Sequence, residues 1–293
     1  MKPAAFDYHV PQTVPEAVGL LADLGEDAKA IAGGQSLVPM LALRLAVPEH
    51  LVDLRRLDEL RGITVGGDGV RIGAGTTQAA IERSGRVREE VPLLARATPL
   101  IGHVPIRNRG TLGGSLAHAD AAAEYPAVVL ALDARLEAVS PRGTRTIAAT
   151  DFFQGMWSTA LEPDELLTAV TFPRRGGRSG FGISEFARRG GDFALAGAAV
   201  ALRLDGDDRI TRCGIGLFGL GPCALRATAG ETEVTGRAVG EVNADDLGRA
   251  AMKGLDSVPS DLHGSDRYRR RLGAAMVARA WSQAVHEATA GGQ

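Results

Sequence analysis

The hydrophobic positions of the first sixty residues follow helix spacing and strand spacing in turn. Thr13 is placed to cap a helix, and the apolar residues from 17 to 24 recur every three or four positions, as in a helix with one buried face. Apolar runs at 29–32 and 51–54 predict strands, and the apolar segment 37–45 is expected to be buried. The chain therefore opens with a small unit of strands and helices.

Antiparallel pairing is predicted after position 57. Two short apolar runs joined by glycines give residues 63–72 the pattern of a β-hairpin. Thr76 or Thr77 can cap a following helix, and another helix is predicted over 89–97. The apolar run 165–172 predicts a strand that closes this region.

A stretch rich in glycine and arginine, 174–180, is the best candidate for a linker. Because the chain has 293 residues, two domains are expected. The second would contain three antiparallel strands followed by two helices, and the whole chain would be an α+β protein. The predicted strands are 181–186, 196–204 and 210–218, and the predicted helices are 245–255 and 266–288.

Composition narrows the classes of function. The 33 basic and 35 acidic residues give a net charge of −2, which does not favour a nucleic-acid or anionic-membrane partner. The two cysteines, Cys213 and Cys223, are too few for an iron–sulfur cluster, and the six histidines show no metal-binding spacing. No signal peptide or apolar run of membrane-spanning length is visible, so a cytoplasmic protein without a membrane span is expected.

Two short glycine turns carry the strongest indication of chemistry. Each combines adjacent glycines with a hydroxyl residue: Ala32-Gly33-Gly34-Gln35-Ser36 and Thr111-Leu112-Gly113-Gly114-Ser115. Adjacent glycines permit positive φ and point successive N–H groups into one concavity, which suits a phosphate. Each turn taken alone is also compatible with a tight structural turn. Together they predict that the two phosphates of one dinucleotide are held between two lobes.

A third glycine pattern is excluded as a dinucleotide site. Residues 214–219 read Gly-Ile-Gly-Leu-Phe-Gly, but the strand pattern runs through these glycines and Gly221-Pro222 follows at once. A nucleotide-binding fingerprint needs a helix that begins within the motif. A glycine-rich strand is therefore predicted there.

Three other residues keep two interpretations each. Asp120 and Glu124 would lie on one face of a helix, either as solvated residues of a helix start or as acceptors for a bound dinucleotide. Phe193 follows Asp192 in a turn between strands, either as a core aromatic or as a lid over a flat cofactor.

Segments 32–40 and 106–120 resemble the medium, FAD-binding subunits of molybdenum hydroxylases, which include carbon monoxide dehydrogenases and xanthine dehydrogenase-like enzymes. The likeness covers nearly the whole chain, including 189–194 and the tail 263–270. It implies a two-lobed FAD-binding domain of the PCMH type, as in vanillyl-alcohol oxidase. A flavoprotein C-terminal domain like that of carbon monoxide dehydrogenase, with a three-stranded antiparallel sheet plus helices, would follow.

The resemblance also implies domain limits and a set of cofactor contacts. The FAD-binding domain would span 1–176, with lobes of about 1–56 and 57–176, and the C-terminal domain 177–293. No side chain is expected to act as an acid or base, and no metal is expected. The residues expected to bind FAD are Ile31, Ala32, Gly33, Gly34, Gln35, Ser36, Leu37, Val38, Ile101, Thr111, Leu112, Gly113, Gly114, Ser115, Asp120, Glu124, Leu166 and Phe193.

The function implied by this resemblance is electron transfer within a larger complex. A large molybdenum-cofactor subunit would oxidise the substrate, a small subunit would relay electrons through [2Fe–2S] clusters, and this chain would pass them from FAD to an external acceptor. The assembly expected is a dimer of heterotrimers. Two alternatives remain open from the sequence: a self-sufficient flavin oxidoreductase of the same superfamily, and a non-catalytic scaffold whose glycine turns are only turns.

Overall fold

The computed structural model describes residues 2–174 and 176–290, and within them three sheets of three, five and four strands define the fold, with a further small sheet of two strands. The N-terminal lobe has a three-stranded parallel sheet in the order β1-β3-β2. Thr13 caps α1 by accepting a hydrogen bond from the Glu16 N–H, and the buried face of α1 packs against the strands. The elements of this lobe are β1 (Asp7–His9), α1 (Val14–Leu24), β2 (Ala28–Ile31), α2 (Leu37–Leu43) and β3 (His50–Asp53).

The second lobe is built on a five-stranded antiparallel sheet in the order β4-β5-β10-β6-β7. Its core contains the fully buried Tyr125, Phe152 and Phe172. The strands are β4 (Ile63–Gly66), β5 (Gly69–Gly73), β6 (Arg135–Ser140), β7 (Gly143–Ala148), β8 (Phe153–Gly155), β9 (Ser158–Thr159) and β10 (Leu166–Phe172). The helices are α3 (Gln78–Arg83), α4 (Gly85–Glu90), α5 (Pro92–Ala97), α6 (Val104–Arg107), α7 (Leu112–His118), α8 (Glu124–Ala131) and α9 (Ala149–Phe152).

The C-terminal part has a four-stranded antiparallel sheet in the order β11-β12-β13-β14. Both faces of this sheet are covered. Side chains of β12 alternate between two cores: Ala199 packs with the second lobe, and Val200 packs with the C-terminal helices. The elements are β11 (Ser179–Phe186), β12 (Ala196–Leu204), β13 (Ile210–Phe218), β14 (Leu225–Arg226), α10 (Thr228–Val234), α11 (Ala244–Ala251) and α12 (Asp266–Ala290).

Glycines allow helices to lie directly on this sheet. A Cβ at Gly182 would overlap the Ala280 carbonyl of α12, and one at Gly216 would overlap the Ala127 carbonyl of α8. Gly214 meets the Ala131 carbonyl of α8 in the same way. The pattern at 214–219 is thus a glycine-rich strand, as predicted, and its glycines serve helix packing.

The structure corrects four expectations. The segment 37–45 is largely exposed, since only its Leu41 is fully buried. The helix predicted over 89–97 is two helices, because Pro92 cannot donate a backbone hydrogen bond and starts α5. Asp120 and Glu124 do not share a helix, since α7 ends at His118 and α8 begins at Glu124. A two-residue strand, β14, adds a fourth member to the sheet predicted with three.

The predicted linker leads directly into the C-terminal sheet. Ser179 and Gly180 already belong to β11, and Arg175 lies outside the described residues, as does the last part of the tail at 291–293. None of the described helices combines the length and the apolar character needed to cross a membrane.

Candidate functional site

A cleft of about 910 Å³ runs between the two N-terminal lobes and reaches the loop that joins β11 to β12. This volume lies in the upper part of the range for ligand pockets. Sixteen of the eighteen residues predicted to bind the cofactor line the cleft. They are Ile31, Ala32, Gly33, Gly34, Gln35, Ser36, Leu37, Ile101, Thr111, Gly113, Gly114, Ser115, Asp120, Glu124, Leu166 and Phe193.

Two predicted residues lie elsewhere. Leu112 is fully buried and packs in the core of the second lobe. Val38 is 51% exposed and does not line the cleft, and its Cγ2 would be 3.1 Å from a Cβ placed on Gly34. The glycine motifs therefore position these two side chains away from the cleft.

The first glycine turn, residues 32–36, offers unused backbone donors. Gly34 has a φ of +73°, which a side chain would disfavour. Within the described residues, the N–H groups of Gly33, Gly34, Gln35 and Ser36 have no protein acceptor. The Gln35 side chain stiffens the turn, since its Nε2 donates to the Gly33 carbonyl at 3.1 Å. The turn therefore offers the row of N–H donors that an anion-binding concavity requires.

The second glycine segment, residues 111–115, has a different structure from the one predicted. Thr111 is the N-cap of α7, and Gly113 and Gly114 lie in the first helical turn without positive φ. The N–H of Gly113 donates to the Ala74 carbonyl at 2.8 Å, and that of Gly114 donates to Oγ1 of Thr111 at 3.0 Å. These donors are already used. What the segment presents to the cleft is the start of a helix and the hydroxyl of Ser115.

Close approach of the backbone explains why the second segment contains glycine. A Cβ at Gly113 would overlap Ala74, which ends the β5 region. Likewise, a Cβ at Gly33 would overlap the carbonyl oxygen of Arg109, just before the second segment. The first segment is therefore in direct backbone contact with the residues just before the second segment. A larger residue at Gly33 would push the lobes apart.

One end of the cleft is formed by the loop that carries Ile101. Arg107 is buried beneath it, and its Nη1 donates to the Ile101 and Gly102 carbonyls at 3.0 and 3.1 Å. The Arg107 Nε donates to Glu82 at 2.9 Å. Phe193 from the C-terminal part faces the same end and is 71% exposed. It is therefore not a core aromatic.

The carboxyl groups of Asp120, Glu124 and Glu185 lie close together, and among the described residues only Asp120 has a basic partner, the Nε2 of His118 at 4.0 Å. Burial and the nearby carboxylates of Glu185 and Asp120 raise the pKa of Glu124 to about 8. Burial alone raises the pKa of Glu185 on β11 to about 7. Asp120 sits in the turn before α8, where its Oδ1 accepts the Ala122 N–H at 2.8 Å. At neutral pH Glu124 is thus mainly a neutral carboxyl that can both donate and accept a hydrogen bond.

Several further residues that no sequence motif indicated line the cleft. Trp157 stands at the tip of the β8–β9 hairpin with a φ of +54°, and its ring stacks on His118 at 6.3 Å between centroids. His118 also lines the cleft, and burial lowers its pKa. A tryptophan two positions after Gly155 was a usable signal in the sequence. Gln78 and Lys29 also line the cleft, but no pattern in the sequence indicated that they would.

Metal chemistry finds no support in the described residues, because they contain no group of three or more His, Cys, Asp or Glu side chains that could hold an ion. The fold and the cleft instead define a two-lobed protein that binds an extended anionic ligand. The open amides of the first turn and the close backbone contact of that turn with Arg109 and Gly110 fit the diphosphate of a dinucleotide.

Comparison with known proteins identifies this class. Residues 4–175 match the family described as FAD binding domain in molybdopterin dehydrogenase, and residues 182–284 match the CO dehydrogenase flavoprotein C-terminal domain. The 6-hydroxypseudooxynicotine dehydrogenase complex subunit alpha of Paenarthrobacter nicotinovorans is 42% identical over 98% of this chain and 97% of its own length. The carbon monoxide dehydrogenase medium chain of Hydrogenophaga pseudoflava is 39% identical over 97% and 98%.

Solved structures agree with these relatives. A carbon monoxide dehydrogenase from Hydrogenophaga pseudoflava, lacking the Mo-pyranopterin moiety of its cofactor, superposes with a TM-score of 0.94 at 39% identity, covering 98% of this chain and 99% of that one. Quinoline 2-oxidoreductase from Pseudomonas putida 86 gives 0.91 at 38% identity, with the same coverage. The chain belongs to the family of FAD-binding subunits of molybdenum hydroxylases. It is an oxidoreductase component, and its cofactor is FAD.

Proposed function

We propose that this chain carries FAD between its two N-terminal lobes and transfers electrons within a heteromeric molybdenum hydroxylase. The observation that carries the proposal is the row of unused amides at Gly33, Gly34, Gln35 and Ser36 inside the cleft. These donors bind the diphosphate of FAD. The Ser115 hydroxyl and the start of α7 complete its surroundings from the other lobe.

The remaining predicted residues orient the ends of the cofactor. Ile101, Phe193 and Glu124 surround the ring system, while Leu37 and Leu166 give apolar contact further along the cleft. FAD, when bound, supplies the redox chemistry by taking up and releasing electrons. The protein's part is to bind it, to orient it and to limit water around it. The domains proposed for this work are residues 1–176 for FAD binding and 177–293 for the C-terminal part.

The partners proposed are a small [2Fe–2S] subunit that delivers electrons and a large molybdenum-cofactor subunit that oxidises the substrate. Similar proteins carry the names medium chain, medium subunit and complex subunit, which supports a place among several subunits. The assembly proposed is a dimer of heterotrimers with an external electron acceptor. Electrons enter at the flavin from the small subunit and leave to that acceptor.

The test is to express the chain with and without its neighbouring genes. With them, we expect a purified complex whose visible spectrum contains both flavin and iron–sulfur bands, and whose flavin is bleached by the substrate of the large subunit. Alone, the chain should bind FAD without oxidising an organic substrate. Oxidation of such a substrate by the isolated chain would instead establish a self-sufficient flavin oxidoreductase. A colourless chain that does not take up FAD would contradict both functions.

A further inference from the structure

Gln78 is the first residue of α3, and its side chain lines the cleft while being only 4% exposed. Its backbone N–H donates to the Gly110 carbonyl at 2.8 Å, which fixes it beside the second glycine segment. A Cβ at Gly110 would lie 2.5 Å from the Oε1 of Gln78. The carboxamide therefore sits where the two lobes meet.

This carboxamide has no hydrogen-bond partner within the described residues. Its Oε1 is enclosed by protein and has no donor in reach. Its Nε2 has no protein acceptor either, but it is not enclosed. Other buried polar side chains close by are satisfied: Thr76 bonds to Gly62, and Thr98 bonds to Tyr125 and Leu94. Gln78 is an exception to the rule that buried polar groups are paired.

An anionic ligand cannot satisfy the enclosed Oε1, because both are acceptors, but it can accept a hydrogen bond from the Nε2 that opens to the cleft. Gln78 lines the same cleft as the backbone amides of residues 33–36, which also have no acceptor among the described residues. Both sets of donors border the contact between Gly33 and the Arg109–Gly110 backbone. One anionic group held at this contact would accept hydrogen bonds from both lobes.

We propose that Gln78 is a cofactor-binding residue whose carboxamide Nε2 donates a hydrogen bond to a diphosphate oxygen of FAD. This inference rests on the proposed placement of the diphosphate at the first glycine turn. It supplies the second lobe with the side-chain donor that its own glycine amides do not provide, since those amides are bonded to Ala74 and Thr111.

The experiment measures FAD binding by the full chain after the flavin has been removed, with flavin fluorescence quenching as the readout. Gln78→Leu keeps much of the volume and removes both polar atoms. We expect it to weaken FAD binding about tenfold to hundredfold, the range for a hydrogen bond to a charged group. Gln78→Glu places a carboxylate against the diphosphate and should weaken binding more. Gln154→Leu, at an exposed glutamine outside the cleft, is the matched control and should bind like the wild type.

Thermal unfolding of the flavin-free protein separates a binding role from a structural one. Because the Gln78 carboxamide is unpartnered without FAD, Gln78→Leu should leave the Tm of the flavin-free protein unchanged or higher, and should reduce only the increase that FAD produces. A lower Tm without FAD would assign Gln78 to the fold. FAD affinity of Gln78→Leu within twofold of the wild type would overturn the inference, as would wild-type affinity of Gln78→Glu. If the wild type itself takes up no FAD, the proposed function fails instead.

Discussion

Replacing Gly33 by alanine tests whether the backbone contact of the first glycine turn with Arg109 and Gly110 creates the cofactor site. The added Cβ would overlap the Arg109 carbonyl oxygen, with the Arg109 carbonyl carbon and the Gly110 Cα also within van der Waals distance. These are backbone atoms, so no side-chain rotation relieves the clash. Overpacking of this kind costs about 1–3 kcal/mol. Moving the turn also misaligns amides that bond a charged diphosphate, each worth about 1.5–3 kcal/mol.

If two amides of the turn are misaligned, FAD affinity should fall at least a hundredfold, since about 1.4 kcal/mol corresponds to a factor of ten. The assay is the ratio of flavin to protein absorbance after purification, followed by titration of the flavin-free protein with FAD. Gly67→Ala is the control, because a Cβ there meets nothing within 4 Å. Purification of Gly33→Ala with a full complement of FAD and wild-type affinity would refute the reasoning.

Three further predictions concern stability. Because burial raises the pKa of Glu124 to about 8, the native state keeps a proton that the unfolded chain loses above about pH 4.5; stability from this group falls as pH rises towards 8, by up to about 1.4 kcal/mol per pH unit. The free energy of unfolding of Glu124→Gln, measured by denaturant titration of the flavin-free protein, should therefore increase relative to that of the wild type as the pH rises. Equal pH dependence in the two proteins would disprove this. Thr111→Ala removes the N-cap of α7 and should lower the free energy of unfolding by about 0.5–2 kcal/mol, with the exposed Thr146→Ala as comparison. Gly216→Ala would meet the Ala127 backbone and should lower the Tm by several degrees, unlike Gly206→Ala, which has open space; equal Tm values would contradict the packing argument.

Sequence reasoning predicted the elements whose local signals agree with their tertiary surroundings. The hairpin at 63–72, the strand 165–172 and the three long strands of the C-terminal sheet combine apolar runs with clear turn residues. The capping role of Thr13 also follows from residues close in sequence. Local signals were sufficient for these elements.

The site could be predicted less completely, because its chemistry depends on contacts between distant segments. The glycines at 113 and 114 look like those at 33 and 34, but the carbonyl of Ala74 and the hydroxyl of Thr111 use their amides. No pattern near residue 113 reveals that neighbour. In the same way, the sequence around Gln78 indicates only the start of a helix. Its position beside Gly110 depends on a contact between segments about thirty residues apart.

The apolar segment 37–45 was predicted to be buried, but most of it is exposed. Leu43 and Leu45 are 54% and 65% exposed, although their composition predicted burial. Burial depends on what covers a segment, and periodicity does not report that. Glu185 is similar, since a charge on a strand is normally at the surface, but here its Oε2 is enclosed next to the cleft.

The packing of α8 on the C-terminal sheet limits how this protein can be divided or recombined. Gly214 and Gly216 accept the α8 backbone at a distance that leaves no room for a side chain. An isolated fragment ending near residue 176 would leave an apolar helix face bare to water, so we expect it to aggregate. A chimaera that joins this N-terminal half to the C-terminal domain of a related subunit should fold only if that domain also has glycine at the two positions equivalent to Gly214 and Gly216.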